Sequence, residues 1–155
     1  MALRSKSDET ARRVRHLIAL DAWNVMKRLR KRQVEMVSLF SRMRDRGPLL
    51  GVIHSWFHSV VFSDLSSLQP DEQLAANQYY EVLGELRWYL QYTEDMPLQV
   101  SQKVTRFVKE LETRHRRLTE VIGPPDAEGA RVVDASVVHA DLRPAVPVRS
   151  RRRRR

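Results

Sequence analysis

Between Ser7 and Arg46 the chain runs for about 40 residues without a glycine or a proline, enough for roughly 60 Å of unbroken helix. Ser7 suits an N-cap, and Asp8 and Glu9 place carboxylates in the first turn, where the helix dipole favours them. Gly47-Pro48 is a stop signal. Inside those ends Ile18, Ala22, Val25, Leu29, Met36, Leu39 and Met43 recur at a spacing of three and four, with Arg32 interrupting the seam. At 100° per residue, Arg12, Arg13, Lys27, Arg30, Lys31 and Arg42 project from the opposite side. An element this long, apolar on one face and basic on the other, demands partners that lie along it, which points to an all-α fold.

The rest of the chain supplies them. Leu49, Val52, Ile53, Trp56, Phe57, Val60 and Val61 recur at helical spacing in a stretch with no formal charge before Asp64, as in a buried second helix over 49–65. Ser66 to Gln69 form a turn, and Pro70, Asp71 and Glu72 open a third helix that runs to Tyr92. Its inner stripe is Ala75, Tyr79, Val82, Leu86, Tyr89 and Leu90. Its aromatic residues cannot share one face, so Tyr80, Trp88 and Tyr92 are expected outside, as a surface for a protein partner. Glu94 to Pro97 break the chain, and Val100, Val104, Phe107, Leu111, Leu118 and Val121 form the seam of a fourth helix, expected against the first. Gly123-Pro124-Pro125 ends it. The expected architecture is a four-helix bundle over 7–122, with a long amphipathic first helix, a frayed 1–6 and a disordered basic tail over 123–155.

Charge is unevenly placed along the chain. The net +9 divides into 13 basic and 5 acidic side chains over 1–46, 7 and 10 over 47–122, and 8 and 4 over 123–155. A mildly acidic body is thus flanked by a basic helix and a basic tail, the pattern of a chain that attracts a polyanion. The tail ends in Arg149 and Arg151, Arg152, Arg153, Arg154 and Arg155, a run that binds phosphate polymers without needing a fold. No aromatic residue interleaves it, so it offers charge and no stacking platform.

Signals for chemistry are missing. The five glycines are scattered, so no phosphate-cradling loop exists, and there is no nucleophile elbow. With no cysteine there is no disulfide and no thiolate metal site, which suits a reducing, cytoplasmic setting. His54 and His58 stand four apart and could offer two metal ligands from one side of a helix, but no further ligands accompany them. One Glu112-x-x-His115 pair falls short of the two such motifs and extra glutamates that a di-iron bundle needs. No catalytic residue, cofactor or metal is therefore expected. The N-terminus has basic residues but no apolar signal-peptide core, and no apolar run is long enough to span a bilayer. The expected function is non-enzymatic: binding of nucleic acid or another polyanion by the basic helix face and the arginine tail. A regulatory or scaffold role through helix-mediated protein contact or self-association is the alternative, and binding to an anionic membrane surface a minor one.

Overall fold

The computed structural model describes the backbone of residues 2–125, with side chains from Asp8 onward. The described part is all-helical. Three long helices make the frame: α1 (Ala2–Met43), α4 (Pro70–Tyr92) and α5 (Pro97–Ile122). Between α1 and α4 lie α2 (Gly47–Val52), a single 3-10 turn at Phe57–Ser59, and α3 (Phe62–Leu65).

Side-chain contacts give the directions. Arg15 and Ala22 of α1, and Arg46 just past its end, meet Glu72, Tyr79 and Leu90 of α4 in ascending order, so these helices run parallel. Arg30 and Gln33 meet Glu112 and Thr105 of α5, so that pair is antiparallel. The four residues 93–96 join α4 to α5 as an antiparallel hairpin. Buried between the three are Ile18, Ala22, Val25 and Leu29 of α1, Tyr79, Leu86 and Leu90 of α4, and Val100, Val104, Leu111 and Leu118 of α5. These are the stripes expected from the periodicity, and Phe40, Val14 and Met26 join them. Met43, expected in the α1 seam, is exposed, because the helix ends there and the core does not reach it.

The ends of α1 differ from the expected ones. The helix begins at Ala2, so Ser7 lies inside it and does not cap it. It stops at Met43 because Arg44 takes a left-handed conformation, with φ at 58° and its N–H donated to Phe40 O at 2.9 Å. Gly47-Pro48 opens α2 where a stop was expected, with Asp45 Oδ1 accepting the Gly47 N–H at 2.8 Å.

The second helix expected over 49–65 does not form. Leu49, Val52 and Ile53 are buried as expected, but the helix ends at Val52 and the chain passes through coil, a 3-10 turn and the extended Val60 and Val61 before α3. Two groups on α1 take over the backbone bonding. Arg28 donates Nε–H to Val52 O at 3.0 Å and a second N–H to His54 O. Asp21 accepts the Trp56 N–H at 3.0 Å and the Ser55 hydroxyl at 2.6 Å. Ser55 in turn takes the Phe57 N–H at 3.1 Å. Serine competes for backbone groups and paired valines resist helix, so the local preference agrees with the break. The fourth place beside α1 is thus filled by a broken connection running back along it.

Candidate polyanion-binding surface

Each described basic side chain of α1 is either turned inward and engaged or turned outward. The inward ones hold the fold. Arg15 pairs with Glu72 at 2.7 Å, and Glu72 accepts the Gln69 N–H at 2.8 Å, so one carboxylate ties α1 to the N-terminus of α4. Arg28 anchors the connection, as above. Arg46, beyond the end of α1, donates to Leu90 O at 3.0 Å and to the Thr93 hydroxyl at 3.3 Å, and its guanidinium lies 5.2 Å from the Phe40 ring centre. A cation on the last carbonyls of α4 also suits that helix's dipole.

The six α1 residues expected to contact phosphate, Arg12, Arg13, Lys27, Arg30, Lys31 and Arg42, are all exposed. Arg13, Lys27, Lys31 and Arg42 fall within a sector of about 60° on the outer face, while Arg12 and Arg30 share the flank toward α5. They are not equally free. Arg13 pairs with Glu9 one turn before it. Arg30 Nε reaches Glu112 Oε1 at 3.0 Å, and Lys27 Nζ sits 4.7 Å from the centre of the Trp23 ring. Among the described residues, Arg12, Lys31 and Arg42 make no ion pair, and neither does Arg32. The six therefore form a ridge with three engaged members. Arg149 and Arg151 to Arg155 lie outside the described residues.

The sequence marks Arg114, Arg116 and Arg117 as a small basic cluster near the end of α5, but it did not single out Arg106 and Lys109. Arg106, Lys109 and Arg116 are exposed and unpaired among the described residues, on a helix that packs antiparallel beside α1. Their spacing of three and seven, on the side away from the α5 seam, was the available signal. α4 differs, carrying the exposed Asp71, Glu81 and Glu85 against Arg87. The α4/α5 groove carries both signs, with Glu85 and Glu110 beside Lys103 and Arg106.

The aromatic surface needs one correction. Tyr80, expected outside, is half-buried. Its hydroxyl donates to Asp21 Oδ2 at 2.9 Å, and its ring stacks on Phe57 with centroids 3.7 Å apart. Burial, followed by the charge of Asp21 and that hydrogen bond, holds its phenol well above the usual range. Trp88 and Tyr92 are exposed as expected, with ring centroids 5.9 Å apart. Trp88 borders an open groove of about 640 Å³ between α4 and α5, lined also by Gly84, Tyr89, Lys103, Arg106 and Phe107. At one end of it Asp95 receives the Tyr89 hydroxyl at 2.8 Å and Lys103 at 3.0 Å, and these two, in that order, lower its pKa.

His54 and His58 do not share a helix side, because α2 ends at Val52, before His54, and His58 lies in the 3-10 turn. His54 packs against Trp56, with ring centroids 4.9 Å apart. Among the described residues, no three His, Asp or Glu side chains gather as a metal site would need. His115 lies 6.0 Å from Tyr79 ring to ring, and Glu112 is engaged by Arg30. No described helix is long and apolar enough to cross a membrane. The chain matches no protein-family model, no curated protein and no solved structure.

Proposed function

We propose that the protein is a non-enzymatic binder of polyanions, with nucleic acid as the working ligand, and that it binds through the outer side of α1. The observation that carries this reading is the division of labour among its cations. Arg15, Arg28 and Arg46 are engaged with backbone or carboxylate, whereas Arg12, Lys31 and Arg42 stand exposed without an ion pair among the described residues. Like charges on one helix face repel, and phosphate relieves that repulsion while releasing counterions. The exposed cations of α5 add charge, and the arginines of the tail add more by composition alone. Such contacts position a phosphate backbone without reading bases, so binding is expected to be largely independent of sequence.

Fluorescence anisotropy of labelled DNA and RNA duplexes in a salt series tests this. The Lys31→Glu/Arg42→Glu double variant is expected to bind at least about tenfold more weakly, with the slope of log affinity against log salt reduced by about 2. Equal affinity and slope for wild type and variant would place the ligand elsewhere.

Trp88 and Tyr92, exposed beside the α4/α5 groove, favour a second reading, in which the protein is a scaffold that holds another protein there. Such a complex would survive high salt and be lost on Trp88→Ala.

A further inference from the structure

The break in the expected second helix has put apolar side chains into solvent. Trp56 is 71% exposed, Val61 59% and Phe62 85%, all on the connection between α2 and α4. None of the three belongs to the core. Their neighbours on α1 follow from the contacts that pin the connection. Asp21 holds Ser55 and Trp56, and Leu17, one turn back on α1, is 53% exposed. Arg28 holds the carbonyls of Val52 and His54, and Lys31 and Arg32, three and four residues on, lie one turn further along that flank. Both are exposed and without an ion pair among the described residues; the exposed acid nearest on that flank is Glu35. The connection therefore exposes Trp56, Val61 and Phe62, with Leu17 exposed one turn before Asp21, while the unpaired Lys31 and Arg32 lie about 15 Å further along α1 than Asp21.

A phosphate polymer explains the cations but leaves these apolar side chains without a role. Duplex backbones offer nothing apolar, and base stacking needs flat rings, which Leu17 and Val61 lack. An anionic bilayer surface answers both halves. Its headgroups attract lysine and arginine, and its interfacial zone takes up tryptophan, phenylalanine and aliphatic side chains together. We infer that this face docks on anionic phospholipid, with Lys31 and Arg32 at the headgroups and Trp56, Val61 and Phe62 entering the interface. This rests on the polyanion reading and gives the same cations a second anionic ligand, lipid phosphate, beside the duplex.

The test uses the full chain and two assays on the same variants. The first is cosedimentation with vesicles of phosphatidylcholine, alone or with phosphatidylserine added. The second is anisotropy with a DNA duplex. The substitutions Phe62→Ser and Trp56→Ser lie at exposed positions, and Val61→Ser provides a third. Expected is binding to the anionic vesicles only, reduced about tenfold by Phe62→Ser and also reduced by Lys31→Glu, with duplex binding insensitive to Phe62→Ser. Vesicle binding that falls with Lys31→Glu but not with any of the three serine variants would overturn the inference and leave the polyanion reading standing. So would duplex binding without vesicle binding. Equal binding to neutral vesicles would overturn the role given to the cations. Binding to neither ligand at low salt would overturn both proposals.

Discussion

Asp21 shows how much one side chain decides. Its carboxylate accepts the Ser55 hydroxyl, the Trp56 N–H and the Tyr80 hydroxyl, at 2.6, 3.0 and 2.9 Å. It therefore joins α1, the connection and α4 at one point. Asp21→Ala removes the acceptor shared by three donors, leaving Tyr80 only the longer contact to Ile18 O at 3.4 Å, and a loss of about 2–4 kcal/mol is expected from urea unfolding. Asp21→Asn keeps one carbonyl oxygen but turns an NH2 toward groups that already donate, so it should recover only part of that loss. An unchanged unfolding midpoint for Asp21→Ala would show that the junction is held in another way. In the sequence this residue is one acid in a long helix, with partners 34 to 59 positions away. Nothing local marks it. Tyr80 was misplaced for the same reason: its hydroxyl needs an acceptor that only the packing of α1 supplies.

At the scale of elements, periodicity succeeded where a helix buries one stripe. α4 and α5 begin at the expected prolines and bury the expected stripes, because Pro at the first helical position and a 3-4 seam are both local signals. The exceptions are Phe107 and Val121, which are only partly buried, and Val108, which joins the core. It failed over 49–65, where apolar spacing is ambiguous. Two arrangements could bury Leu49, Val52 and Ile53, and the bonds from Arg28 and Asp21 favour the broken one. α4 also holds Gly84 in its middle, exposed, where an added Cβ would meet nothing within 4 Å. Glycine there forgoes helix propensity, so Gly84→Ala is expected to stabilise by about 0.5–1 kcal/mol in a thermal melt. A destabilised variant would contradict the open space around this position.

At the scale of the whole molecule, the fold should be most stable between two titrations. Burial first, and then the charge of Arg30, lowers the pKa of His115 below its ordinary value of 6.5. The unfolded chain therefore takes up a proton there before the folded one does. The stability this site contributes is full above pH 6.5 and is lost as the pH falls through the folded value. His115→Gln should remove that part of the difference between melts at about pH 7.5 and pH 5. On the alkaline side, burial and the Asp95 contact push Tyr89 from 10.0 up to about 12. Its contribution is full below pH 10.0 and is lost toward about 12, a decline that Tyr89→Phe should flatten. A variant melt that follows wild type at both ends would refute these assignments.

The helical class, the outer face of α1, the stripes of α4 and α5 and the uneven charge were all legible in the sequence. Each depends on residues a few positions apart, and a 3.6-residue turn converts that spacing directly into a face. Tertiary structure alone decided which cations are engaged and which are free, because Arg15, Arg28 and Arg30 find their partners on other elements. And it alone put Trp56, Val61 and Phe62 into solvent, since a hydrogen bond from a distant side chain can outweigh a local helical preference that amounts to only tenths of a kcal/mol per residue.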